Sequence, residues 1–336
     1  MLIIMNSDAT EAQCAEVERV IASLGHESLP VAGASRTAIC VVGNDGKVPR
    51  GVFAHLPGIK EIVQVTRPYK MVSREVRPDD TVIEVGDVAI GGDEPVILAG
   101  PCSVETEATT LEIARQAREA GARLFRAGAY KPRTSPYAFQ GLGEEGLHTL
   151  AKVREEVGLP VVSEVVDTES LPLMLEHVDV LQVGARNMAN YQLLKRLGKV
   201  DRPILLKRGL SATFDEWLMA AEYLLANGNE KVILCERGIR TFSQHARNTL
   251  DLNVVPLVRR LSHLPIIVDP SHGVGETSRV RPMSRAALAA GAQGLLLEAH
   301  VDPSRAYSDG QQTIPIETLA GIVRDAQHLQ GLEQLE

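Results

Sequence analysis

From residue 94 onward the chain keeps a rhythm that few folds can satisfy. Short β-rich apolar runs at 95–99, 123–127, 160–164, 180–183, 203–207, 231–235, 265–269 and 294–298 alternate with helical patterns at 106–120, 144–157, 214–226 and 285–290. A last helical pattern, 316–330, follows the eighth run. Four runs open on proline, which a strand tolerates at its first residue. The runs are almost continuously apolar, as parallel strands covered on both faces must be. Eight strand–helix units over roughly 240 residues match a (β/α)8 barrel. No GxGxxG follows a strand, which argues against an open doubly wound sheet. The expected class is α/β, with the barrel over 94–336.

Residues 1–66 form a separate pattern. Apolar residues 2–5 predict a strand. Residues 10–24 carry helical spacing (Cys14, Val17, Val20, Ile21, Leu24) that stops at Gly25. Strands are expected at 27–31 and 37–42, a short helix at 49–55 and a last strand at 62–65. This βαββαβ order is ferredoxin-like. About 65 residues make a marginal core, so such a unit leans on something larger. Residues 67–93 read as a linker, with Arg67, Pro68, Arg77, Pro78, Asp79 and Asp80, and then a hairpin of 81–85 and 88–90 turning at Gly86-Asp87.

Composition excludes several classes. Apolar residues are 44% and charged residues 23% of the 336, so the chain can build a core and is not disordered. The net charge of −8 leaves no cation excess for bulk nucleic-acid binding. Four scattered cysteines without a CxxC imply a reducing compartment. The N-terminus has no basic n-region, and no run reaches the ~20 apolar residues of a span. A cytoplasmic protein without membrane or nucleic-acid partners is expected.

A barrel carries its chemistry where its strands end. Just past or at each run stand Cys102; Arg126, Lys131 and Arg133; Glu164; Arg186; Lys207; Arg237; His272; and Glu298. Each of the eight ends delivers an ionisable side chain. Arg126, Lys131, Arg133, Arg186, Lys207 and Arg237 would put six cations around one mouth, and converging cations need multiply charged anions there. Any one of them could instead pair with a helix carboxylate; for all six, nearby acids look too few. Cys102, His272, Glu298 and Asp309 combine a thiolate, an imidazole and carboxylates, a set that suits Mn, Fe, Co, Zn or Cu. Taken singly, Cys102 reads as a buried small hydrophobe and His272 as a turn residue. Cys14, Cys40 and Cys235 read as core cysteines, and Trp217 as helix packing beside Phe214 and Leu218.

These residues fall in segments that resemble the 3-deoxy-D-arabino-heptulosonate 7-phosphate (DAHP) synthases, in the subtype with an N-terminal ferredoxin-like domain. The segments are Ala99-Gly-Pro-Cys-Ser103, Phe125-Arg-Ala-Gly-Ala-Tyr-Lys-Pro-Arg-Thr-Ser135, Gln182-Val-Gly-Ala-Arg-Asn187, Leu206-Lys-Arg-Gly209, Cys235-Glu-Arg-Gly238, Asp269-Pro-Ser-His-Gly273 and Glu298-Ala-His300. Gly-Pro-Cys-Ser and Pro-Ser-His are shared with the related 3-deoxy-octulosonate 8-phosphate (KDO8P) synthases; Lys131-Pro-Arg-Thr-Ser135 discriminates. The resemblance implies condensation of phosphoenolpyruvate (PEP) with D-erythrose 4-phosphate, the entry to aromatic amino-acid synthesis. It implies one divalent metal on Cys102, His272, Glu298 and Asp309. PEP would meet Arg126, Lys131, Ala185, Arg186, Lys207 and Arg237, and the aldose phosphate Arg133, Thr134 and Ser135. Lys131 is a candidate proton donor and Glu164 a candidate orienter of water. The N-terminal unit would be an ACT-like regulatory domain for tyrosine or phenylalanine, or a passive oligomerisation element, in a homotetramer. Two other readings stay open: a KDO8P synthase using arabinose 5-phosphate, and a non-catalytic aromatic amino-acid sensor.

Overall fold

The structure is a computed structural model. It describes all residues except 33–36, 43–47, 64–67, 132–136, 138 and 334–336, with backbone alone at 32 and 331–333. The chain divides into two compact units, Met1–Asp80 with Leu261–His263, and Thr81–Arg260 with Leu264–Glu336.

In the first unit, strands β1 (Leu2–Met5), β2 (Glu27–Ala32), β3 (Thr37–Val42) and β4 (Ile59–Val63) form one antiparallel sheet in the order β2-β3-β1-β4. That order places β1 in the centre, as a ferredoxin-like unit requires. Helix α1 (Glu11–Ser23) starts from a capping box: the Thr10 hydroxyl accepts from Gln13 N, and the Gln13 amide oxygen accepts from Thr10 N. Its Val17 and Ile21 are buried with Ile3, Met5, Ile39, Val41 and Phe53. The expected helix at 49–55 shrinks to a 3-10 turn, Arg50–Val52. Gly51 inside so short a segment weakens any longer helix. The last strand lies earlier than expected, and residues 64–65 fall outside the described residues. Cys40 is buried, and Cys14 is half-buried, packed against the edge of this core.

The second unit opens with the hairpin β5 (Ile83–Val85) and β6 (Val88–Ile90). Eight parallel strands come next: β7 (Val96–Gly100), β8 (Leu124–Arg126), β9 (Val161–Glu164), β10 (Val180–Val183), β11 (Ile204–Lys207), β12 (Val232–Glu236), β13 (Ile266–Val268) and β14 (Gly294–His300). They pair in sequence order, and β14 closes the barrel by pairing with both β13 and β7. Ile83, Val85, Val88 and Ile90 of the hairpin share one apolar cluster with Val96, Leu98, Leu124, Val162, Val180, Leu205, Ile233, Ile267 and Leu296. The interior is therefore a packed core, and the polar chemistry is left to the strands' C-terminal ends.

The outer helices are α2 (Glu107–Glu119), α3 (Glu144–Lys152), α4 (Leu171–His177), α5 (Tyr191–Leu197), α6 (Phe214–Ala226), α7 (Val254–Leu261), α8 (Pro270–Val274), α9 (Thr277–Ala289) and α10 (Ile316–Glu333). The pattern at 144–157 continues past α3 as a π-helical turn, Val153–Val157, that ends on left-handed Gly158. Helix α9 begins eight residues before the expected 285, because it accommodates Pro282 at the cost of one helical hydrogen bond. Trp217 packs as expected; it is fully buried, and its indole N–H donates to the Leu206 carbonyl at 3.2 Å.

Candidate active site

Beyond their ends, β7 and β8 stay in register. Gly128 N donates to the Cys102 carbonyl (3.1 Å), and Val104 N to the Gly128 carbonyl (3.0 Å). This pairing carries Lys131 back over Cys102, where its Nζ lies 2.9 Å from both the sulfur and the carbonyl oxygen. Cys102 is buried, and its thiol donates to Asp309 Oδ2 at 3.1 Å. Burial, reinforced by Glu298 and opposed by Lys131 and Arg126, pushes that thiol up to about 11.

Strand β14 runs on to His300, so Glu298 lies within the strand rather than ending it. One Glu298 oxygen faces Arg126 (3.2 Å) and His272 Nε2 (3.4 Å), and the other accepts from Gln312 Nε2 (2.5 Å). Cys102 Sγ, a Glu298 oxygen and an Asp309 oxygen all lie within 4.8 Å of one another. Asp309 lies beyond β14 in a left-handed backbone conformation (φ 55°), uncommon for a residue with a side chain. Burial opposes its ionisation, yet the Cys102 hydrogen bond and the charges of His272, Arg247 and Lys131 hold its carboxyl at about 2.

Pro-Ser-His-Gly, where His272 taken singly reads as a turn residue, is the short helix α8. Asp269 caps it, accepting from His272 N at 3.0 Å. The other Asp269 oxygen receives both His272 Nδ1 and Lys207 Nζ, each at 2.7 Å. A single carboxylate oxygen thus joins the fifth strand end to the seventh. It fixes the His272 tautomer with Nε2 free to act as a ligand. Burial keeps His272 below the ordinary imidazole range, against the pull of Asp269. Sequence reasoning gives Asp269 no role, although its position three residues before His272 is a usable signal. Gln312 offers none.

The six cations divide. Lys207 pairs with Asp269, and Arg126 with Glu298. For these two the expectation of too few nearby acids fails, because the acids come from other strand ends rather than from helices. Arg126 Nε is nevertheless buried without a partner. Arg237 is buried, and among the described residues its side chain donates to the adjacent Gly238 carbonyl alone; burial pushes this guanidinium below its usual range. Arg186 is exposed on a 3-10 turn, Ala185–Asn187, with no partner among the described residues. Arg133, Thr134 and Ser135 lie outside the described residues. Arg208, next to Lys207, points elsewhere and pairs with Glu236 (3.0 Å) and Asp251 (2.9 Å).

Glu164 ends β9 and accepts from Gln182 Nε2 at 3.2 Å. Gly184 lies beside it, and a Cβ there would force the Glu164 carboxylate to move. Glu164, Gln182, Ser163, Cys102, Arg126 and Lys131 help line a polar cleft of about 10 Å³, the room of one water molecule.

Fold and site define a class: a (β/α)8-barrel protein with cationic side chains set beside a thiol and two carboxylates where its strands end. The chain belongs to the DAHP synthetase I family, which it matches over residues 71–332; residues 1–67 match the DAHP synthase ferredoxin-like domain. It is 45% identical to a phospho-2-dehydro-3-deoxyheptonate aldolase of Thermotoga maritima, over 98% of this chain and 97% of that one. The crystal structure of a Thermotoga maritima DAHP synthase superposes with a TM-score of 0.78 at 44% identity, covering 98% and 96% of the two chains. A truncated form of the Thermotoga maritima synthase covers 78% of this chain and 96% of its own, with a TM-score of 0.73 at 45% identity. A 2-dehydro-3-deoxyphosphooctonate aldolase of Geobacter sulfurreducens is 33% identical over 72% of this chain and 95% of its own. This chain is accordingly a carbon–carbon bond-forming enzyme of the DAHP synthase type.

Proposed function

We propose that the chain joins PEP to D-erythrose 4-phosphate with one divalent metal ion. C3 of PEP bonds to the aldehyde carbon, water adds at C2, and inorganic phosphate leaves, giving DAHP. The observation that carries this reading is the interlock of cations and metal-type donors: Lys131 on Cys102, Arg126 on Glu298, and Lys207 with His272 on one Asp269 oxygen. Cations that already touch the donor set bring an anionic substrate beside it.

Cys102, His272, Glu298 and Asp309 would hold the metal; their sulfur, nitrogen and oxygen atoms fit a divalent transition ion. When bound, such an ion supplies Lewis acidity toward the aldehyde. Arg126, Lys131, Arg186, Lys207 and Arg237, with the Ala185 backbone, hold PEP. The unpartnered Arg126 Nε and the weakly engaged Arg237 favour an anion there. Arg133, Thr134 and Ser135 take the aldose phosphate. Holding both anions against their repulsion aligns the reacting carbons. Lys131 gives a proton to the new alkoxide, and Glu164 orients the water that adds at C2. Residues 1–66 regulate the enzyme by binding tyrosine or phenylalanine, in a cytoplasmic homotetramer; no described helix is long and apolar enough to cross a membrane.

The KDO8P reading is the weaker one, since the phosphooctonate relative matches 72% of this chain and the heptonate relative 98%. A steady-state assay decides. Erythrose 4-phosphate should turn over and arabinose 5-phosphate should not; chelator should abolish turnover, and tyrosine or phenylalanine should lower it. Turnover of arabinose 5-phosphate alone, or full activity in chelator, overturns the reading.

A further inference from the structure

The loop that carries Asp309 is held by a second set of contacts away from the donor atoms. Glu105, three residues after Cys102, is buried, and both its oxygens serve this loop and its root. One accepts the Tyr307 backbone N–H at 2.9 Å; the other lies 3.2 Å from His300 Nε2. His300 Nδ1 accepts from Asp302 N at 2.9 Å, so the ring carries its proton on Nε2 and donates it to Glu105. Between these anchors, the Ser103 and Ser308 hydroxyls meet at 2.5 Å. Asp309 then takes its left-handed conformation, which persists only where the surroundings over-determine it.

We propose that Glu105 is a positioning residue for the metal site. By taking the Tyr307 amide and the His300 ring N–H, its carboxylate clamps residues 301–309 so that Asp309 stands beside Cys102 and Glu298. The inference rests on reading that cluster as a divalent-metal site. Only a carboxylate serves both donors. A glutamine has one acceptor oxygen, and its NH2 would face either the Tyr307 amide or the His300 ring. The ring cannot change tautomer without losing Asp302 N.

The test titrates full-length, metal-free protein with Co(II), following thiolate-to-cobalt charge-transfer absorption. Glu105→Gln should weaken Co(II) binding about 10- to 100-fold, the usual cost of losing a supporting contact to a metal site. Asp309→Ala should also weaken it, and the double variant should be no weaker than Asp309→Ala alone, because Glu105 acts through Asp309. Should Glu105→Gln fail to fold, Tyr307→Pro removes the facing donor. Ala306 already has φ −59° and ψ 134°, which a proline at the next position allows, and the same loss is expected. Unchanged cobalt affinity in these variants, or additive losses in the double variant, overturns the role of Glu105. A wild type that binds no cobalt overturns the metal reading itself.

Discussion

Replacing Asp269 by Asn removes one charge while keeping the side chain's shape, and the surrounding donors set the consequences. The carboxylate accepts three donors: His272 N and Nδ1, and Lys207 Nζ. An amide turned with its oxygen toward the helix cap sets its NH2 against both Lys207 and the imidazole. Turned the other way, it loses the cap. Lys207, itself buried, has no other ion-pair partner among the described residues. Leaving one member of a buried pair uncompensated costs about 3–5 kcal/mol. Losing the bond that orients a ligand imidazole lowers metal affinity about 10- to 100-fold. Asp269→Asn should therefore lose both, in urea unfolding and in Co(II) titration. Adding Lys207→Met should restore much of the stability, since an apolar side chain needs no counter-charge, but not the cobalt affinity. A single variant as stable as wild type, with unchanged cobalt binding, would refute the account of this shared oxygen.

Arg186→Ala should raise KM for PEP about ten- to a hundredfold, the worth of a charge-assisted hydrogen bond, and leave the urea midpoint unmoved. A shifted midpoint with unchanged KM would make Arg186 structural. His263 is buried, its Nε2 lies 2.7 Å from the Met71 carbonyl, and burial pushes its imidazole down to about 4. The unfolded chain takes up that proton near pH ~6.5. Stability should thus be full above that pH and fall by about 3 kcal/mol as pH drops toward 4; His263→Gln should flatten this slope, and an unchanged slope would assign it elsewhere. Deleting residues 1–66 should leave an active enzyme that tyrosine and phenylalanine no longer inhibit. Inhibition of the truncated enzyme would place the effector site in the barrel.

The barrel is legible in the sequence because its evidence is local. Residues 214–226 show a helical pattern, and α6 has those bounds, with a Thr213–Glu216 capping box at its start. Residues 180–183 form a strand, as their apolar run predicts. Expectation fails where a local cue competes with tertiary packing. The helical pattern is expected only from 285, yet α9 starts at Thr277 with Pro282 inside it, and His272, a turn residue when taken singly, lies in a capped helix. In the site, residue types at strand ends are readable, yet their pairings are not. Arg126 with Glu298, Lys207 with Asp269, and Cys102 with Asp309 join residues 172, 62 and 207 positions apart.

The amino-acid order alone thus determined the alternation of strand and helix, and with it which side chains stand where strands end, because backbone periodicity repeats over a few residues. The closed sheet decided which of these cations keep a carboxylate and which keep none among the described residues. It also decided that one aspartate oxygen serves both a lysine and a histidine. The contacts of Arg126 with Glu298 and of Cys102 with Asp309 exist only once the first and last strands pair, and no short stretch of sequence contains that closure.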